Sequence, residues 1–460
     1  MFNLDFNKPC HVYFIGIGGI SMSGLAKILI DRGFKVSGSD WNKNAQTEEL
    51  LAMGININFG DQVKANITDD IDVLCYTAAV HPDNPEFIAA KEKNIPMLTR
   101  AELLGELMEN YSSSIAIAGT HGKTTTTSMI SEILMAGDTD PTILNGGVLR
   151  SINSNTRIGK SSYLVSEACE YTNSFLSFYP KYTIIMNIEE DHLDFFKDIN
   201  DIRNSFRKFM ENTKEDGTVI INNDIIALDK LTEGLDRKII TFGTKGNPTY
   251  IAKNIMDNQE GHKEYDLYKG DEFISHIILA LPGIYNVYNS LAACATALSM
   301  GLDIEAVKEG LKNCVGSKRR FELKGEFNGV TVLDDYAHHP TEISSAIEAA
   351  KTLKKNRIIV CYQPHTYTRT KALFPQFVDA LSAADIVVLP EIYPARETDT
   401  LGISSKDIAD ALNLRNVESY FFKTFDEVEK FLMEKCVNGD LLITMGAGNV
   451  VDIGEKLIKK

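Results

Sequence analysis

No apolar run in this 460-residue sequence approaches the roughly 18 residues a membrane-spanning helix needs, so no spanning helix and no membrane partner are expected. The stretch Met1 to Pro9 carries Asp5 and lacks an apolar h-region, so no secretory signal is expected there. Cys10, Cys75, Cys169, Cys294, Cys314, Cys361 and Cys436 are scattered singly with no C-x-x-C pair. An odd, unpatterned set argues against a disulfide framework or a zinc site built on it, and for a reducing cytoplasm. Excess positive charge is missing too: 47 Lys and Arg against 63 Asp and Glu leave a net charge of -16. That argues against a general binder of nucleic acid, leaving small molecules as expected partners and local basic pockets for phosphates open. What is present, 44% hydrophobic and 24% charged residues, is the composition of an ordinary globular protein. The chain is too long for one core, and about 150 residues per domain suggests roughly three.

The stretch Ser114-Ile-Ala-Ile-Ala-Gly-Thr-His-Gly-Lys-Thr-Thr-Thr-Thr127 reads as a strand, a Gly-containing turn and a helix. Gly119 and Gly122 let successive N–H groups face one point, and the following helix adds the positive end of its dipole. Such a cup holds an anion. Lys123 would reach the outer phosphates of a nucleotide, and the Thr124 hydroxyl would sit on the accompanying Mg2+. The common pattern places a further Gly where Ile117 stands.

Upstream, His11-Val-Tyr-Phe-Ile15 runs into Gly16-Ile-Gly-Gly-Ile-Ser-Met-Ser-Gly24 and a helix, the first half of a βαβ unit. Asp40 follows the next strand, about 20 residues on, where a dinucleotide fold holds a ribose. That points first to NAD, but Ser21 replaces the third fingerprint glycine, so another diphosphate or mere tight packing stays open. Thr77-Ala-Ala-Val-His-Pro82 follows a strand end, where open α/β sheets bind ligands. A helix from Arg100 to Met108 and a polar linker, Glu109 to Ser114, close this part.

Two acidic clusters then follow apolar strands: Glu167-Ala-Cys-Glu170 after Tyr163-Leu-Val-Ser166, and Glu189-Glu-Asp-His-Leu-Asp194 after Tyr182 to Ile188. In a parallel sheet both would share an edge with the phosphate loop and could complete a magnesium shell. Residues 217 to 280 read as β-rich and irregular. Asn286 and Asn289 lie one turn apart on a helix opening near Pro282, available for a base or the backbone, with N-capping an equal reading of Asn286. A helix from Ile304 to Asn313 precedes a boundary at Gly316. The last part repeats the α/β pattern, with polar strand ends at Asp334-Asp-Tyr-Ala-His-His339 and Gln363-Pro-His-Thr-Tyr-Thr-Arg-Thr-Lys371 and a turn at Gly446-Ala-Gly448. The expected organisation is α/β in three domains: a Rossmann-like one over 1–108, a P-loop ATPase-type one over 109–316, and a Rossmann-like one over 317–460.

Taken in order, the first glycine turn with Ser37-Gly-Ser-Asp40, Ala118-Gly-Thr-His-Gly-Lys-Thr-Thr125, Asn187 to Asp194, Asp334 to Glu342 and Gln363 to Arg369 resemble the Mur ligases over nearly the whole chain. The resemblance implies a cytoplasmic ATP- and Mg2+-dependent ligase that joins L-alanine to UDP-N-acetylmuramate through an acyl phosphate, as a monomer or homodimer. It implies UDP-sugar contacts at Gly16, Gly18, Gly19, Ser23, Asp40, Thr77, Ala78 and Arg100. ATP would meet Gly119, Thr120, His121, Gly122, Lys123, Thr124, Thr125, Asn289, Arg320 and Asp335. The metal shell would use Thr124, Glu167 and His192. Tyr336, His338, His365 and Arg369 would face the amino acid, with Lys123, His192, His338, His365 and Arg369 in catalytic roles. The chain departs from the family pattern at Asp61 and Tyr285, where His is usual, at Cys169, where Asp is usual, and at Thr366, where Arg is usual. Arg203 stands in the neighbourhood of a lysine that related ligases carbamylate. The missing Arg at 366 keeps open a ligase of the same build adding a different amino acid or a preformed peptide. A nucleotide-switched binding module is the reading from another class.

Overall fold

The computed structural model describes residues 2–77, 80–259, 261–395 and 397–459, which form three separate sheets with helices on their faces. The first sheet is all parallel, in the order Asn56–Phe59, Lys35–Asp40, His11–Ile15, Val73–Tyr76, Met97–Thr99. The chain order reverses at His11–Ile15, whose carboxyl end carries the glycine turn and the helix Ile20–Asp31. Open α/β sheets bind ligands at such a switch point.

In the ten-stranded second sheet, Ser113–Ala118 lies between Tyr163–Glu167 and Tyr182–Ile185, all three parallel. The phosphate loop is therefore flanked by both acidic clusters, as parallel pairing requires. The stretch expected only to be β-rich extends this sheet with Thr218–Asn222, Lys238–Gly243 and an antiparallel meander of Tyr250–Asp257, Lys263–Lys269 and Glu272–Ile278. Helices Lys123–Ala136 and Ile284–Ser299 bury their apolar residues against it.

The third sheet runs Glu322–Phe327, Val330–Asp335, Leu441–Met445, Ile358–Tyr362, Ile386–Leu389, Glu418–Phe421. Its first strand is antiparallel to the rest. The two outermost strands were not foreseen, because edge strands need no alternating apolar pattern and these carry charge.

The linker expected at 109–114 is polar only in part. Tyr111 is buried, its ring edge-on to Phe6 with centroids 5.7 Å apart and its hydroxyl donating to Thr142 Oγ1 at 3.2 Å. One apolar core thus runs from Leu29 and Leu107 of the first sheet's helices to Phe178 and Phe206 beside the second. Among the described residues, no helix is long and apolar enough to cross a membrane.

Candidate functional site

The phosphate loop is shaped by glycines in conformations that side chains resist. Gly119 has φ +146° and Gly122 φ +83°, and a Cβ on Gly122 would come within 2.5 Å of Asn289 Oδ1. Asn187 brackets the loop, accepting from His121 N at 2.8 Å and donating to His121 O at 3.1 Å. Helix Lys123–Ala136 begins at Gly122 without a side-chain cap, so its first amides point into the loop. That is the arrangement in which a helix terminus receives an anion. Lys123 Nζ donates to the carbonyls of Gly119 and Thr120 and to Glu170 Oε2 at 3.1 Å. Burial works against this charge, but Glu170, with Cys169 and Glu167, outweighs it and raises the ammonium's pKa.

A cleft of about 690 Å³ opens between this loop, the start of helix Ile284–Ser299 and the third sheet, within the range of ligand pockets. His121, Gly122, Thr125, Asn289, Arg320 and Asp335, all expected around ATP, line it. Asn289 is not turned freely into the cleft. It donates to Asn286 Oδ1 at 3.1 Å and accepts from Thr126 Oγ1 at 3.3 Å, while Asn286 Nδ2 reaches back to Pro282 O. Gly283 is the N-cap of that helix, so the capping reading of Asn286 fails.

Glu342, on the first turn of helix Pro340–Lys351, joins the parts. Its carboxylate lies 3.5 Å from His121 Nδ1, 3.6 Å from Arg320 Nη1 and 3.3 Å from His338 Nδ1. Burial alone would neutralise it, but His338, His121 and Arg320 hold it well below the usual carboxylate range. Burial also opposes a charge on His121, yet Glu189 and Glu342 on either side raise it to about 9. Asp335 accepts from Phe321 N and Ala337 N at 2.8 and 2.7 Å, and burial lifts its pKa to about 6 against the pull of Arg320.

Of the expected metal ligands, Thr124 and Glu167 adjoin the same turn. Glu167 Oε1 accepts from Gly146 N at 2.6 Å, and a Cβ on Gly147 would lie 3.2 Å from Thr124 Cγ2. These oxygen donors suit a hard cation. His192 stands further along, in left-handed backbone (φ 53°), stacked on Tyr171 and 3.9 Å from Glu170 Oε1. Burial lowers its pKa, the neutral form a ligand needs.

Arg369, expected at the amino acid, is held by Asp191 of the second sheet and donates from Nη1 to His365 Nδ1 at 3.3 Å. His338 Nδ1 donates to Tyr336 O at 3.0 Å, which leaves Nε2 with the lone pair. Burial pushes His338 and His365 each down to about 4. Tyr336 lies under the guanidinium groups of Arg319 and Arg320, 5.0 and 5.2 Å away. Gly446 and Gly448 give their carbonyls to Arg319, making that turn a packing element.

At the first glycine turn, Gly16 has φ +80° and Gly18 has no room for a side chain, with Asp40 Oδ2 2.8 Å from where a Cβ would sit. Asp40 accepts from Gly18 N at 2.8 Å, and Ser23 Oγ donates to Ile20 O, so both build the turn. Gly19 ends the turn as the uncapped start of helix Ile20–Asp31. Thr77 lies across from Gly16, and Ala78 falls outside the described residues. Arg100 begins a helix at the carboxyl end of Met97–Thr99, on the same edge as the glycine turn. Beside the phosphate loop, burial and then Glu170 raise the Cys169 thiol against the pull of Lys123.

Asn187, Asp191 and Glu342 were not singled out from sequence. All three stand inside the quoted segments, but only packing shows which polar residue of a segment faces inward.

Three family models match the chain in order: Mur ligase family, catalytic domain, over residues 11–112; Mur ligase middle domain over 117–297; and Mur ligase, glutamate ligase domain, over 319–448. The chain is 55% identical to the UDP-N-acetylmuramate--L-alanine ligase of Agathobacter rectalis over 460 residues, covering 100% of both. The Lachnospira eligens protein of the same name is also 55% identical, again over 100% of both chains. A crystal structure of a UDP-N-acetylmuramate-alanine ligase from Thermotoga maritima superimposes with a TM-score of 0.80 at 30% identity, covering 98% of each chain. Matched from end to end in both sequence and architecture, the chain belongs to the Mur ligase family.

Proposed function

We propose that this ligase forms the amide bond between the lactyl carboxylate of UDP-N-acetylmuramate and L-alanine, with ATP converted to ADP and phosphate, in peptidoglycan precursor synthesis. The observation that carries it is the cleft in which His121, Gly122 and Asn289, at the phosphate loop, meet Arg320 and Asp335 of the third sheet. A nucleotide seated there would be met from two sheets at once, as a ligase that closes over ATP demands.

A carboxylate and a triphosphate repel, so cations must neutralise both before they meet. Lys123 does so at the outer phosphates, and Arg320 approaches from the third sheet. The carboxylate oxygen attacks the γ-phosphorus and ADP leaves, giving an acyl phosphate. The alanine amine then attacks the carbonyl carbon, and the tetrahedral intermediate expels phosphate. Tyr336, His338, His365 and Arg369 surround the amino acid in this reading. His338 Nε2, uncharged at neutral pH, takes the amine proton, and Arg369 attracts the carboxylate once it exchanges partners with Asp191. Thr124 and Glu167, with His192 beyond them, would hold Mg2+, which supplies positive charge at the terminal phosphates.

In this assignment residues 1–108 hold the UDP-sugar at Gly16, Gly18, Gly19 and Arg100, with Asp40 and Ser23 supporting the turn. Residues 109–316 hold ATP, and 317–460 hold the amino acid. Names of full-length relatives at 55% identity support alanine over another amino acid. The test is phosphate release from ATP with UDP-N-acetylmuramate, with and without each amino acid in turn. Release driven best by alanine is expected; release independent of any amino acid overturns the ligase, and a better amino acid overturns the selectivity.

A further inference from the structure

One cluster of metal-binding side chains lies apart from the groups assigned to magnesium. His121, Glu189 and His339 each bring one ligand atom within 4.8 Å of the others. His121 and Glu189 belong to the edge of the second sheet, whereas His339 is the N-cap of helix Pro340–Lys351 beside the third. His121 Nε2 stands 3.4 Å from Glu189 Oε2. Two ligand atoms on a tetrahedral zinc, with bonds of about 2.0 Å, sit about 3.3 Å apart.

His121 is 6% exposed, and its Nε2 is buried without a hydrogen-bond partner. The group that faces it is the Glu189 carboxylate, so a cation taking the place of the His121 proton would satisfy both. The other two residues are held as ligands usually are. His339 Nε2 donates to Glu190 O at 3.1 Å, which puts the lone pair on Nδ1. That atom caps the helix, accepting from Thr341 N at 3.3 Å and from the backbone of Glu342, bonds that an ion there would displace. Glu189 Oε2 accepts from Thr341 Oγ1 at 2.7 Å, the kind of outer bond that orients a ligating carboxylate. The His121 and His339 rings lie 4.4 Å apart between centroids. Two imidazoles and one carboxylate favour zinc and its neighbours over magnesium, which prefers oxygen.

We propose that His121, Glu189 and His339 bind one zinc-class divalent ion that ties the third sheet to the phosphate loop and so inhibits turnover. The ion would join residues of two separately folded sheets at the rim of the nucleotide cleft, which both His121 and Glu189 line. Exchange of nucleotide through that rim would then wait on release of the ion.

The test is calorimetric titration of the full-length protein with zinc chloride, repeated with Co2+, whose visible absorption reports imidazole ligation in four-coordinate geometry. One ion per chain is expected, with at least about a tenfold loss of affinity in both His339→Gln and Glu189→Gln, and none in His192→Gln. Circular dichroism shows whether each variant is folded, and two variants keep the test alive if one is not. In the wild-type enzyme, zinc at the measured Kd should slow phosphate release and a chelator should restore it. The proposal is overturned if no ion binds, if neither variant weakens binding, if binding depends on His192 instead, or if saturating zinc leaves turnover unchanged.

Discussion

Arg369 Nε donates to Asp191 Oδ1 at 3.0 Å and Nη2 reaches Asp191 Oδ2 at 3.4 Å, so a guanidinium from the third sheet grips a carboxylate from the second. Their side chains are 10% and 8% exposed. Burial disfavours the Asp191 charge, but Arg369 outweighs it and holds the carboxyl below its usual range. The pair both fastens the two parts and occupies the cation expected to take an amino-acid carboxylate.

Breaking that pair leaves Arg369 buried beside an uncharged amide. Asp191→Asn should lower kcat/KM for alanine at least tenfold. A double-mutant cycle of Asp191→Asn with Arg369→Lys should give a coupling of about 1.5 kcal/mol or more, the lower end for close, desolvated charge pairs. Steady-state kinetics of the four proteins decide it, and additive effects would mean the two side chains act separately.

Lys123→Ala should abolish measurable turnover, a loss of about a hundredfold or more, because it removes the ammonium that meets the loop carbonyls and Glu170. UDP-N-acetylmuramate affinity, measured by calorimetry, should stay within about twofold. Equal loss of both would place the sugar on the wrong sheet.

Gly122→Ala tests the loop's shape. An alanine there meets both a left-handed backbone, costing about 1–2 kcal/mol, and the Asn289 side chain 2.5 Å from its Cβ. Nucleotide affinity should fall more than global stability does, as read by ATP titration and urea unfolding. Gly122→Ala with Asn289→Ala should recover only the steric part.

His365 sets an acid limb. Its folded pKa, about 4, lies below the ordinary 6.5 because burial, then Arg369, disfavours the imidazolium. A depressed value means the unfolded chain binds the extra proton first. The contribution is fully present above pH 6.5 and is lost as pH falls towards 4. His365→Gln should flatten the unfolding free energy across that window relative to wild type, measured by urea titration at fixed ionic strength. A parallel pair of curves would contradict the assignment.

Much of this was legible in the chain because it is locally encoded. Apolar runs ending in glycine turns specify strand, turn and helix within about twenty residues, so the loop at Gly119 to Thr124 and the turn at Gly16 to Gly19 could be read directly. Edge strands Glu322–Phe327 and Glu418–Phe421 were not readable, since one open side removes the pattern that betrays a strand. Asp40 and Ser23, expected at the UDP-sugar, have a second task that the sequence does not reveal, bracing the turn.

By itself the sequence determined that a phosphate loop follows one strand, that acidic clusters follow two others, and which backbone positions admit only glycine, all consequences of sterics among near neighbours. Only the tertiary structure decided which polar side chains meet. Asp191 finds Arg369 across 178 residues, and His121 finds Glu342 on a helix of another sheet. Such partners are chosen when separately folded sheets close on one another, and burial then decides which charges survive, a choice that no local pattern of residues encodes.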